Sequence, residues 1–153
     1  MRALEHRIPP PLVALLVGAG MWALAGVGPR LQLPTGLRWS AVALLIAAGL
    51  AFDVLGIAAF RASRTTVNPL KPERASALVT GGVYRVTRNP MYVGMACLLL
   101  AWAVHLSAVF PFAGVVVFVL FITRFQIQPE ERVLETVFGA DYITYATRVR
   151  RWL

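Results

Sequence analysis

The residues with the most chemical capacity fall in two clusters. The first runs from Leu78 to Gly94, LVTGGVYRVTRNPMYVG. It sets Arg85, Arg88, Asn89, Tyr84 and Tyr92 around a Gly81-Gly82 turn and an Asn89-Pro90 step. The second is Gln128-Pro129-Glu130-Glu131, directly after the last apolar run. The two clusters are expected to meet at one membrane face and form a cofactor pocket. Taken singly, each has a plainer explanation. Arg88 to Tyr92 reads as a helix start with interfacial anchors, and Glu130-Glu131 as a helix N-terminus carrying favourable charge. Tyr84, Tyr142 and Tyr145 read as interfacial aromatics.

Other chemistries lack their residues. Gly26-Val27-Gly28 falls at the end of an apolar helix rather than after a strand, so it is no dinucleotide fingerprint, and no Walker loop is present. His6 and His105 fall on opposite expected sides of the membrane, which rules out a two-histidine metal site. No Ser-His-Asp set assembles, because both histidines are remote from the polar clusters. The single cysteine, Cys97, allows no internal disulfide or cysteine metal cluster and sits in an apolar run as a buried thiol.

The elements that must position these residues are membrane helices. The chain has 153 residues, enough for a single domain over 1–153, with 58% hydrophobic and 14% charged residues. Soluble domains carry about 25% charged residues. The net charge of +8 would suggest nucleic acid in a soluble protein. Here the basic residues lie between apolar runs, so a lipid bilayer, not nucleic acid, is the expected partner. Four spans are expected at about 11–27, 40–60, 90–107 and 108–127, with cytoplasmic segments 61–89 and 128–153 completing the site. The first run shows no cleavage site and is read as a retained helix. Gly28-Pro29 should end it, leaving Arg30 to Arg38 as a loop. Asp53 is the one ionisable residue of the second run. It is either a substrate-side or ion-pairing group, or a carboxyl near the helix end that reaches water or a neighbouring helix.

Asn89 suits a helix N-cap and Pro90 a first-turn position. In the tail, Pro129-Glu130-Glu131 should open one short amphipathic helix that Gly139 stops, and Asp141 should cap a second. Of the 15 Lys and Arg residues, 13 fall in the N-terminus, the long connection and the tail. With four spans these share one side, so both termini are expected to be cytoplasmic. The expected fold is an all-α integral membrane protein of about four transmembrane helices, with short amphipathic C-terminal helices on the cytoplasmic face.

From Thr65 onward the chain resembles the isoprenylcysteine carboxyl methyltransferase and phospholipid methyltransferase family of integral membrane proteins. The residues that carry the resemblance are Thr65-Thr66-Val67-Asn68-Pro69, then LVTGGVYRVTRNPMYVG, then PEERVLETVFGADYITYATRVRRW. It covers about the last 90 residues. The resemblance implies S-adenosylmethionine as methyl donor. Carried over by position, it implies a cofactor site of Ser76, Ala77, Leu78, Val79, Tyr84, Asn89, Pro90, Met91, Tyr92 and Glu130. Asn89 stands where the isoprenylcysteine branch has histidine. An amide still donates and accepts hydrogen bonds but transfers no proton. That branch also has a substrate arginine four residues before the glutamate. Here the position is Gln126, with Arg124 two residues earlier, so a prenylcysteine carboxylate is a poor match.

Methyl transfer from a sulfonium needs chiefly positioning and desolvation. Tyr84 or Tyr92 could set a ring near the cation, Glu130 could pair with the cofactor ammonium or ribose hydroxyls, and Arg88 could meet its carboxylate. Arg88, Asn89 and Glu130 are the catalytic candidates, and Arg124 and Gln126 the substrate candidates. The acceptor is expected to be amphiphilic: a lipid amine, a prenylated carboxylate, or a small hydrophobic thiol or phenol. The competing readings are an NADPH-dependent membrane reductase of the sterol reductase type and a non-catalytic membrane subunit. Cofactor binding separates the three.

Overall fold

A computed structural model describes residues 8–62 and 78–153. All regular elements among the described residues are helices, joined at one point by an isolated bridge between Arg30 and Ala108. Helix α1 spans Pro10–Leu24, α2 Thr35–Ala62, α3 Pro90–Leu106, α4 Pro111–Ile122, α5 Gln128–Phe138 and α6 Ala140–Arg148. Helices α1, α3, α4 and α5 each carry proline at their first turn, where the missing N–H costs nothing.

Several boundaries differ from expectation. Helix α1 stops at Leu24, ahead of Gly28-Pro29. Helix α2 begins at Thr35, so Arg38 and Trp39 belong to its first turns rather than to a loop. Its Arg38 N–H already reaches Pro34 O at 3.0 Å. The larger difference lies at the other end of the bundle. The first tail helix is not separate: α4 runs into α5 through a π-turn, Thr123–Ile127, giving 28 helical residues from Pro111 to Phe138. Gln128 N–H reaches back five residues to Thr123 O. In an unbroken α-helix the ring of Pro129 would meet the carbonyl four residues before it. The wider turn removes that clash and lets the helix pass through a proline that reads, in sequence, as a new start. Gly139 ends α5 at φ +52°, as its sequence position suggests. Asp141 is no cap: it lies inside the first turn of α6, and Gly139 holds the cap position without a side-chain bond.

The helices α2 and Pro111–Phe138 are both long and apolar enough to cross a membrane; α1 and α3 are shorter apolar helices. Their outer surfaces are greasy, with Leu44 72% and Leu15 71% exposed. That much exposed hydrocarbon belongs in lipid rather than water. Without a hydrophobic drive between helices in lipid, small residues do the joining. On α2, Gly49, Asp53 and Gly56 follow helical spacing and form the face toward α3. A Cβ on Gly49 would stand 2.9 Å from Gly94 O, and one on Gly56 3.1 Å from Met91 Cγ. Helix α1 meets α4 at Gly114, over which Met21 is folded. The core gathers Val13, Met21, Tyr92, Leu99, Phe118, Ile122 and Ile127.

The two ends of the bundle are fastened differently. At one end Leu31 N–H reaches Ser107 O at 2.9 Å, and Arg38 donates to Ser107 Oγ at 3.2 Å. His105 stacks there on Trp102, ring centres 5.2 Å apart, with Trp39 at 5.3 Å. His6 lies outside the described residues. At the other end Gln126 Nε2 donates to Ile8 O at 2.8 Å, and Trp152 Nε1 to Thr123 Oγ1 at 3.1 Å. The polar site is at this second end.

Candidate functional site at the polar end of the bundle

Leu78 to Thr80 lead through an extended Gly81 into Gly82, whose φ of +58° suits glycine. Gly82–Arg85 then closes as a 3₁₀ turn. The turn buries Tyr84, whose ring meets Phe60 of α2 edge-on at 5.5 Å. From the tail, Tyr145 Oη donates to Tyr84 O at 2.7 Å. Val79 is buried beside the turn, while Pro90 and Met91 pack on Gly56. Ser76 and Ala77, and the Thr65–Pro69 motif, lie outside the described residues.

The next three residues grip the C-terminal segment. Arg88 N–H donates to Arg150 O at 2.9 Å. Thr87, fully buried, donates through Oγ1 to Arg151 O at 3.2 Å and accepts the N–H of Asn89 at 3.2 Å. Asn89 occupies the N-cap position of α3, but its side chain does not cap. Its Nδ2 donates to Arg151 O at 2.9 Å. Pro90 already removes one orphan donor from that helix end, and the carbonyl of the tail offers the amide a partner that a cap would forgo.

The carboxylates of α5 are brought alongside. Tyr92 Oη donates to Glu130 Oε1 at 2.6 Å. Burial pushes the Glu130 carboxyl up to about 8, the Tyr92 hydrogen bond opposes this, and the charge of Glu131 adds to it. Glu131 is itself well paired. Arg151 binds it with two prongs, Nε to Oε1 at 2.9 Å and Nη2 to Oε2 at 2.6 Å, and Arg88 Nη1 lies 3.2 Å from Oε1. The Glu131 pairing holds the Arg151 guanidinium charged and raises its pKa. Arg88 Nη1 also donates to Tyr142 Oη at 3.2 Å, while its buried Nε has no partner among the described residues. Burial raises the phenols of Tyr84, Tyr142 and Tyr145 alike, which keeps them neutral: Tyr145 donates to Tyr84 O, while Tyr142 accepts from Arg88.

Of the residues singled out in sequence, Tyr84, Arg88, Asn89, Tyr92 and Glu130 come together. Gln126 and Arg124 do not join them. Gln126 is fully buried and spends its amide on Ile8, leaving Oε1 without a partner among the described residues. Arg124 is exposed, with its guanidinium 5.7 Å from the Phe125 ring centre. Glu131 and Thr87, which lie inside the two clusters without an expected role of their own, join the site, and so does Arg151, which lies outside both. Tyr142 and Tyr145, read as interfacial anchors, turn inward. Their spacing of three puts them on one face of α6, a signal available in the sequence.

Among the described residues the arrangement has no activated nucleophile. It offers a carboxyl without a cationic partner among them, an arginine with a spare donor, and aromatic walls. Helices apolar on their outer surface, with carboxylates, arginines and tyrosines gathered at one end, suit a membrane protein. The phospholipid methyltransferase family profile matches residues 37–141. The chain belongs to the phospholipid methyltransferase family, and that membership implies a methyltransferase. Over 63 residues it is 44% identical to an uncharacterized protein of Haemophilus influenzae (strain ATCC 51907 / DSM 11121 / KW20 / Rd), a match covering 41% of this chain and all of that one. No solved structure matches the chain.

Proposed function

We propose that the protein uses S-adenosylmethionine to methylate an amphiphilic acceptor at the cytoplasmic face of a membrane. In this reading α1, α2, α3 and Pro111–Ile127 are four spans, both termini are cytoplasmic, and 1–153 acts as one domain. The observation that carries it is the Tyr92–Glu130 pair. Glu130 is a buried carboxyl held by a phenol, beside a second carboxylate and with its proton retained near neutrality. A buried acid of this kind is stabilised by an added cation. A molecule bearing a sulfonium and an ammonium supplies one, so the residues present fit the donor.

The donor supplies an electrophilic methyl group, whose transfer to a nucleophile leaves a neutral thioether. The protein's own part is to bind and orient. Glu130 takes the cationic end, Arg88 offers Nε to a carboxylate while Glu131 and Tyr142 fix its Nη1, and Tyr84 and Tyr92 wall the site. Asn89, tied to the tail, acts by holding Arg151 against the turn rather than by proton transfer. In this reading the same tail shields the site from water, which favours displacement at a methyl carbon.

The test is calorimetric titration of the detergent-purified protein with S-adenosylmethionine and S-adenosylhomocysteine, with NADPH as comparison. Saturable binding of the first two, weakened in Glu130→Ala, is the expected result. Tight NADPH binding alone would point to a reductase, and binding of none in folded protein would overturn the enzymatic reading.

A further inference from the structure

The end of the bundle away from Glu130 carries the two basic residues that break the charge pattern of the chain. Of the 15 Lys and Arg residues, 13 fall in the N-terminus, the long connection and the tail, and the other two are Arg30 and Arg38. Helix α3 ends there at Leu106, about 24 Å from its start at Pro90 at 1.5 Å per residue. The backbone around Arg30 is fixed. It bridges Ala108 in antiparallel fashion, with Leu31 N–H on Ser107 O at 2.9 Å and Val109 N–H on Pro29 O at 3.1 Å. Arg38 is held by the first turns of α2. The two side chains reach adjacent residues of one turn. Arg30 Nη1 lies 3.5 Å from Leu106 O, and Arg38 Nη1 donates to Ser107 Oγ at 3.2 Å.

Neither guanidinium is answered by an acid. Among the described residues neither forms an ion pair, and Nη2 of each has no partner. Arg38 Nε is buried and unpartnered as well. The acids among the described residues stand elsewhere. Glu130, Glu131, Glu135 and Asp141 belong to α5 and α6 at the polar end, and Asp53 lies about 22 Å along α2 from Arg38. Two like charges brought to one turn repel, and an anion beside them relieves both. There is room for one. A pocket of about 430 Å³ lies against Arg30, walled by Trp22, Gly26 and Leu106. Trp22 is exposed, and so is Trp39, whose ring centre is 5.3 Å from the Arg38 guanidinium. Exposed tryptophans at the ends of apolar helices sit at head-group level in a bilayer.

We propose that Arg30 and Arg38 form a binding site for the phosphate of an anionic membrane lipid, in the leaflet at this end of the bundle. The planar guanidinium matches phosphate oxygens, and the apolar flanks of α1 and α2 accept the chains. An anionic head is selected over a zwitterionic one, because two arginines repel an ammonium and no described acid is near to receive it. The site is remote from Glu130 and stands or falls independently of the methyl-transfer reading.

Trp22, Trp39 and Trp102 at this end provide the readout. The full chain in detergent micelles is titrated with phosphatidylglycerol brominated in its acyl chains, and with phosphatidylcholine of the same chains, while tryptophan quenching is followed. A basic residue beside an anionic head is worth about fivefold in affinity, so wild-type protein should prefer phosphatidylglycerol by about thirtyfold. Arg30→Gln should cut the preference about fivefold, and Arg30→Gln with Arg38→Gln should abolish it. Arg148→Gln removes an exposed charge at the other end and should leave the preference intact. Inorganic phosphate in excess should not displace the lipid, since it lacks the chains that add hydrocarbon burial. Equal affinities of wild-type protein for the two lipids, or a preference unchanged in Arg30→Gln, would overturn the proposal. Displacement of the lipid by inorganic phosphate would overturn it too, and reassign the arginines to a soluble phosphate. Arg30 is exposed, so wild type and Arg30→Gln decide the matter even if the loss of Arg38 unfolds the chain.

Discussion

Lowering the pH should loosen the cofactor by a predictable amount. Without ligand, burial pushes Glu130 up to about 8. Beside a bound cation it should return toward the ordinary carboxylate range. Below pH 8 binding must then expel the proton Glu130 holds, and affinity falls tenfold for each pH unit. From pH 7 to pH 6 the fall is about ninefold, and at pH 7 about 0.9 proton is released per cofactor bound. This window lies below the range in which an α-amino group titrates, about 7.7–8.0, so the cofactor's own ammonium stays charged across it. Titration calorimetry in two buffers of different ionisation enthalpy measures the released proton directly. Glu130→Gln carries no ionisable group and should show a flat profile with no release. The sign for stability runs the same way. A carboxyl raised above its ordinary value of 4.5 favours folding below that value, and this contribution is lost as pH rises through about 8. Ligand-free protein should therefore melt lower at pH 9 than at pH 6, and the cofactor should shrink the difference. An affinity independent of pH between 6 and 7, or a Glu130→Gln protein with the wild-type proton release, would refute the assignment of Glu130 to a cationic ligand.

Two further outcomes follow from the packing and the tail. Gly94→Ala puts a Cβ 2.8 Å from Gly49 O and against Asp53, so α2 and α3 must separate; overpacking of this kind costs about 1–3 kcal/mol and should lower the detergent melting temperature. Arg151→Lys keeps the charge but loses the two-pronged grip on Glu131, and should expose the C-terminal segment to faster proteolysis than in wild type, with Arg151→Ala faster still.

What could be read from the sequence follows a physical divide. Helix existence was legible because apolar runs and proline starts are local signals, and Pro90 and Pro111 open helices as their positions imply. The meeting of the Tyr84–Tyr92 segment with Glu130 was legible from the order of the clusters between apolar runs. The course of the chain through Pro129 was not, because whether a proline starts a helix or is absorbed by a wide turn depends on backbone hydrogen bonds five residues apart. The role of Asn89 was hidden for a related reason. Its type and position suit a cap, but a distant carbonyl, that of Arg151, takes the amide. Thr87 and Arg151 carry no local signal, since their value lies in a contact across 64 residues of chain.

The π-turn at Thr123–Ile127 fits five residues where an α-helix would reach only four back. One surplus residue rotates everything after it by about 100° around the helix axis. Glu130 and Glu131 face Tyr92 and Arg88 only in that rotated setting. The stretch therefore behaves as a phase adjuster between the apolar half of the helix and the half that carries the glutamates. Most substitutions within it should be milder than the removal of any single residue, because a deletion would turn both glutamates away from the site without altering a single side chain in it.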